Sequence, residues 1–173
     1  GFAIADVSVF AFPLTGAAEL NLAINGELGG LSSDFRTVTN SDSSLGYDGF
    51  DLIAPTTPSN YSRFYSTVSG NLLSVDVWPF NGNSRTINLT FDTNPAASGT
   101  LVLSWDFSST EYNATLKDYG TDNTRATQVG SDVNMRTSSS YSQSSTGTRY
   151  FTLTVINASE GTTVVPDTTT GNT

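Results

Sequence analysis

Short runs in which apolar and polar residues alternate constrain the fold of this chain more than any other feature. In the run 86–91, for example, every second side chain is apolar, so an extended strand has one apolar and one polar face. The runs 100–107 and 149–156 repeat the pattern. We expect these three strands to supply the core, through Ile87, Leu89, Phe91, Leu101, Leu103, Trp105, Phe151, Leu153 and Val155.

Clusters of Gly, Pro, Asn and Asp separate the alternating runs, and helical periodicity is hardly visible. Short strands with frequent turns predict an all-β fold, specifically an antiparallel β-sandwich of jelly-roll type. The expected organisation is an apolar strand over residues 1–12, a sandwich domain over 13–160 and a tail or linker over 161–173. The serine-rich stretch 138–147 is expected to be a mobile or hairpin loop.

Residues 2–12 (FAIADVSVFAF) break the one-sided pattern, because both faces of an extended strand would be mainly apolar. The segment is therefore expected either to be buried in its own domain or to complete the sheet of a neighbouring copy as a donor strand. The apolar side chains available for such an interface are Phe2, Ile4, Val7, Val9, Phe10 and Phe12.

Composition excludes several classes of function. The chain has no cysteine and no histidine, which excludes disulfides, Cys/His zinc sites and catalysis by a thiol or imidazole. A net charge of -9 disfavours binding to nucleic acid, and no apolar run is long enough to span a membrane. Low charge with abundant Ser and Thr is typical of an extracellular protein. Because the chain lacks thiol and imidazole groups, we expect that it is not an enzyme.

The order of several short motifs resembles a β-sandwich domain of large secreted bacterial surface proteins. The motifs are SLGYDGFD at 44–51, LLSVDVWP at 72–79, ATLKD at 114–118, DVNMR at 132–136 and RYFTL at 149–153. The resemblance covers residues 44–156 and implies an extracellular sandwich used for display, adhesion or assembly. With the apolar segment at its start, the organisation is similar to subunits of extracellular filaments built by donor-strand exchange.

Aspartates in two loop regions are candidate calcium ligands, because Ca²⁺ prefers carboxylate and carbonyl oxygens. The alternative is that these side chains cap turns by accepting hydrogen bonds from nearby backbone amides. The candidates are Asp42, Asp48 and Asp51 in the first region, and Asp118, Asp122 and Asp132 in the second.

Aromatic residues are dense between Tyr47 and Phe80, and they predict either core packing or a platform on which sugars stack. Trp78, directly before Pro79, is the best platform candidate. Lys117, the single lysine, is expected to be solvated, with an isopeptide bond as the less favoured alternative. N-glycosylation motifs occur at Asn60, Asn88, Asn113 and Asn157.

Together these features predict a structural subunit of an extracellular filament or surface assembly that polymerises by strand complementation. The alternative is a carbohydrate-binding or adhesive module from a larger secreted protein. No cofactor is expected, apart from calcium as an option. The expected partners are further copies of the chain and, in the alternative, glycans.

Overall fold

The computed structural model describes residues 20–54, 61–79 and 84–158. The predicted donor strand, the tail and Asn60 lie outside these residues. No helix in the described part of the chain is long and apolar enough to cross a membrane. Its regular structure consists of strands: β1 (Asn21–Leu28), β2 (Leu31–Thr39), β3 (Leu52–Ile53), β4 (Tyr61–Val68), β5 (Asn71–Trp78), β6 (Arg85–Asn94), β7 (Ser98–Trp105), β8 (Tyr112–Asp118), β9 (Val133–Asn134), β10 (Ser140–Thr146) and β11 (Arg149–Asn157).

The all-β class is confirmed, but the antiparallel sandwich of jelly-roll type is not. The strands form one continuous sheet in the order β10-β7-β1-β2-β5-β4-β6-β11-β8-β9, with β3 added beside β5. The sheet is mixed because β2 and β5 run parallel, from Arg36 opposite Val75 to Thr39 opposite Trp78. It curves until it is nearly closed into a barrel.

The prediction of a loop over the serine-rich stretch 138–147 is wrong, because most of this stretch forms strand β10. The strand pairs with β7 over its whole length, from Ser140 opposite Ser104 to Thr146 opposite Ser98. Its alternating exposure follows the pleat of an edge strand. Small polar side chains concealed this strand, because the backbone pairing that holds it leaves no apolar pattern in the sequence.

The core prediction from the three alternating strands is confirmed, since all of the predicted core side chains are buried. Phe64 of β4 joins them at the centre of the barrel. Its ring centre lies 5.9 Å from those of Phe35 and Phe91 and 6.4 Å from that of Phe151. These tilted and edge-on contacts connect β2, β4, β6 and β11 through one aromatic cluster.

A buried ion pair connects β8 with β11 where β10 approaches them in the nearly closed barrel. Nη2 of Arg149 lies 2.6 Å from Oδ2 of Asp118, and Nε contacts both carboxylate oxygens at 2.9 Å. Tyr141 of β10 donates its hydroxyl to the same carboxylate at 2.5 Å, and Nη1 of Arg149 donates to the carbonyl of Ser144 at 3.0 Å. Burial, with the contact to Asp118, raises the pKa of Tyr141 to about 12. We call Asp118, Arg149 and Tyr141 the seam.

Candidate functional site

Exposed apolar side chains concentrate in the stretch between β2 and the end of β3. We call residues 44–53 the apolar loop. Among the large apolar side chains that the structure describes as exposed, the only two outside this stretch are Val102 at 38 % and Ile156 at 37 %. Those inside it are Leu45 at 57 %, Tyr47 at 43 %, Phe50 at 42 %, Leu52 at 55 % and Ile53 at 49 %. Such a patch on a surface is typical of an interaction site.

The carboxylate of Asp48 fixes the conformation of the loop. Its Oδ2 accepts a hydrogen bond from the amide of Ser44, and its Oδ1 accepts one from the amide of Phe50 at 2.9 Å. The hydrogen bond from Phe50, followed by that from Ser44, lowers the pKa of Asp48. The apolar side chains are therefore carried on a turn with internal hydrogen bonds.

Asp51 connects this turn to the sheet. Its Oδ2 accepts from the amide of Asp48 at 2.9 Å, and its Oδ1 accepts from the amide of Val77 in β5 at 2.8 Å. The amide of Ala54 donates to the carbonyl of Leu72 at 2.7 Å. The loop is thus attached to β5 through Asp51 and, directly after the loop, through Ala54.

A buried ion pair lies near the attachment of the loop to β5. Nη2 of Arg85 is 2.8 Å from Oδ1 and 3.0 Å from Oδ2 of Asp76, which is only 1 % exposed. Burial raises the pKa of Asp76 to about 6; Arg85 opposes this shift, whereas Asp51 and Asp48 add to it. Sequence reasoning missed this pair, and the available signal was a charged residue inside the apolar strand LLSVDVW.

The structure does not bring the six calcium candidates together. Asp42 is exposed, while Asp118 belongs to the seam. The carboxylate of Asp122 accepts from the amides of Thr124, Ala126 and Thr127, and its pKa is lowered to about 2, chiefly by the hydroxyl of Thr124. Within the described ranges, no group of three or more acidic, His or Cys side chains could hold a metal ion. These contacts are those of turn caps, and calcium binding stays a prediction.

The single lysine forms a surface ion pair. Nζ of Lys117 lies 3.2 Å from Oδ2 of Asp132, and both side chains are substantially exposed, at 34 % and 50 %. Gln128 donates to the other carboxylate oxygen of Asp132 at 2.8 Å. Lys117 is therefore partly exposed and paired with a carboxylate, and the isopeptide bond stays an alternative prediction.

Trp78 is not a sugar platform, because only 1 % of it is exposed and its Nε1 donates to Oγ1 of Thr37 at 2.9 Å. A half-buried tyrosine row does occupy the outer side of β4. The guanidinium carbon of Arg63 lies 4.6 Å from the ring centre of Tyr61 and 5.3 Å from that of Tyr65. Nη2 of Arg63 also lies 2.9 Å from Oδ2 of Asp92.

The three glycosylation motifs in the described part of the chain lie on three different strands. Asn88 is exposed on β6, Asn113 is half-buried on β8 and Asn157 ends β11. Their occupancy by glycans stays a prediction.

Comparisons with protein-family models, curated proteins and solved structures found no match. The functional argument therefore rests on the chain's own residues.

Proposed function

We propose that this chain is a structural subunit of an extracellular filament or surface assembly, and that it polymerises by strand complementation. The observation that carries the proposal is the concentration of exposed apolar side chains on the apolar loop, where hydrogen bonds to Asp48 and Asp51 hold the backbone. A second apolar feature, the two-faced segment 2–12, supplies a matching partner in the same sequence.

The energy available to such a contact is large enough for a durable assembly. Burial of an aliphatic or aromatic side chain contributes about 1.5–3 kcal/mol. The segment offers Phe2, Ile4, Val7, Val9, Phe10 and Phe12. Their combined burial gives on the order of 10 kcal/mol before the cost of association is subtracted.

A contact between one copy's segment and a different surface on the next copy is heterologous. Such contacts generate filaments when the rotation between copies does not close into a ring. Low charge, abundant hydroxyl side chains and the resemblance of residues 44–156 to secreted surface domains support an extracellular location. No catalytic role is proposed.

A full-length variant tests this proposal. Val9→Asp or Phe10→Asp places a charge in the segment, and burial of an unpaired charge is strongly unfavourable. We expect the unmodified chain to form filaments visible by electron microscopy, and each variant to remain a soluble monomer with unchanged circular dichroism. Unmodified protein that stays monomeric at all concentrations would rule out the proposal.

A carbohydrate-binding or adhesive module is the second candidate, and the tyrosine row on β4 favours it. Tyr61 and Tyr65 flank Arg63 on the outer side of the sheet, where half-exposed rings and a guanidinium could contact sugar rings. Affinity electrophoresis in neutral polysaccharides should show retardation of the chain that Tyr61→Ala removes. Equal mobility with and without polysaccharide would exclude this candidate.

A further inference from the structure

We infer that the apolar loop and the free side of β3 form the acceptor site for residues 2–12 of a neighbouring copy. This inference rests on the proposed function and names its second surface. It commits to one occupant, the apolar segment of another molecule of this chain.

β3 offers a backbone edge next to the apolar side chains. Within the part of the chain that the structure describes, β3 pairs only with β5, through Leu52 opposite Val75 and Ile53 opposite Leu73. A strand at the side of a sheet leaves backbone donors and acceptors for an added strand. The side chains of Leu52 and Ile53 are 55 % and 49 % exposed, so an added strand would cover apolar surface as well.

The other strand edges fit an apolar strand less well. Among the described strands, β10 pairs only with β7, and β9 pairs only with β8. However, β10 has the polar sequence SYSQSST, and β9 consists of Val133 and Asn134 alone. A polar strand gives an apolar segment little area to bury, which favours β3 as the acceptor.

The length of the segment fits the site. Asp6, the only charged residue in the segment 2–12, has the same sign as Asp48 and Asp51. Charge therefore gives no attraction at this site, and the contact rests on burial of apolar side chains and on backbone pairing. Eleven extended residues span roughly 36 Å, which is enough to pair along β3 and continue over the apolar loop.

Leu20, the first residue that the structure describes, is paired with the end of β2. The amide of Leu20 donates to Oγ1 of Thr39 at 2.9 Å, and the amide of Thr39 donates to the carbonyl of Leu20 at 3.1 Å. Thr39 ends β2, and the apolar loop begins shortly afterwards. Leu20 therefore lies beside the end of the strand from which the chain continues to the apolar loop.

We assign a neighbouring copy as the occupant because the loop stays exposed in the part of the chain that the structure describes. Its five large apolar side chains remain between 42 % and 57 % exposed there. Association of two copies would remove this area from water, and the same interface would repeat at each subunit.

Disulfide capture tests the contact directly, because the chain has no cysteine of its own. Full-length Val9→Cys and Leu52→Cys are prepared separately, one with a mass tag, and mixed under mild oxidation. We expect a mixed disulfide dimer at least about tenfold more abundant than in the control mixture of Val9→Cys with Val102→Cys, whose site lies on β7 at 38 % exposure. Equal capture at both positions would overturn the inference.

A chain carrying both Val9→Cys and Leu52→Cys shows whether the segment binds the loop of another copy or the loop of its own chain. Capture between chains supports the inference, whereas a disulfide found only within monomers overturns it by placing the segment on its own loop.

Assembly measurements test the acceptor site independently of the proposed function. We expect Leu52→Asp to raise the concentration needed for assembly at least about tenfold, and the matched Ile156→Asp on β11 to leave it unchanged. If Val9→Asp blocks assembly but Leu52→Asp does not, the acceptor is wrong while the proposed function stands. If the unmodified chain never assembles, both are wrong.

Discussion

Trp105 combines burial with hydrogen bonding, which makes it a sensitive residue for testing the core. It is 7 % exposed, and its Nε1 donates to the carbonyls of Met135 at 3.0 Å and Ser138 at 2.7 Å. We expect Trp105→Ala to lower the free energy of unfolding by roughly 3–5 kcal/mol. Urea titration monitored by circular dichroism measures this change. An unchanged urea midpoint would show that Trp105 is not buried in the core.

Asp76 should give the stability of the domain a distinct pH dependence. Its pKa is raised from 3.8 to about 6 because burial disfavours the carboxylate more than Arg85 favours it. The folded state therefore binds the proton more tightly than the unfolded state, so this group's contribution to stability falls as pH rises from about 4 to about 6. Above that pH range the stability contributed by protonation of Asp76 is fully lost.

Unfolding free energies measured between pH 4 and pH 7 test this sign. Asp76→Asn should remove this component of the pH slope, whatever its effect on stability at neutral pH, where it also leaves Arg85 without its ionic partner. Identical slopes in the variant and the parent chain would contradict the assignment.

Individual residues of the site were only partly predictable from sequence. Asp48 and Asp51 stood out because acidic residues in a glycine-containing loop cap turns. The pair of Asp76 and Arg85 did not, since an ion pair between strands depends on which strands meet and in which register. Trp78 does end β5 before Pro79, as expected, but this position does not expose its ring, because the indole is buried and donates to Thr37.

At the level of elements, β1 and β6 pack so closely that one glycine is required. A Cβ added to Gly26 would lie 2.7 Å from the ring of Phe91 and 3.2 Å from a methyl group of Leu103. We expect Gly26→Ala to cost about 1–3 kcal/mol of unfolding free energy through overpacking. Gly49→Ala is the matched control, because nothing lies within 4 Å of its added Cβ.

Thermal or urea unfolding of both glycine variants measures the difference. Equal stability of the two variants would mean that β1 and β6 are not in contact at this position.

Strands with local alternation were predictable, and their partners were not. β6, β7 and β11 could be identified because each has a complete apolar face within its own sequence. The parallel pairing of β2 with β5 leaves no comparable signal, because alternation does not reveal a strand's neighbour or direction. For the same reason, the sequence could not distinguish a jelly-roll sandwich from one sheet curved into a nearly closed barrel.

For the molecule as a whole, we expect the buried ion pair of the seam to contribute more to stability than the surface ion pair of Lys117 and Asp132. Arg149→Met leaves the carboxylate of Asp118 buried and without its cation, which should cost roughly 3–5 kcal/mol. The exposed pair of Lys117 and Asp132 provides the matched control, and Lys117→Met should cost at most about 1 kcal/mol. Chemical denaturation compares the two variants, and a similar loss in both would show that the seam does not hold the barrel closed.

The central claim is that residues 1–12 join copies of the chain and do not complete the core of their own domain. Its most direct test is a parallel measurement on the full chain and on a chain that starts at residue 13. Sedimentation velocity gives the assembly state, and a circular dichroism melt gives the fold. We predict that the shortened chain melts cooperatively close to the full chain but sediments only as a monomer, while the full chain forms large species. An unfolded shortened chain, together with a full chain that sediments as a monomer, would contradict the claim.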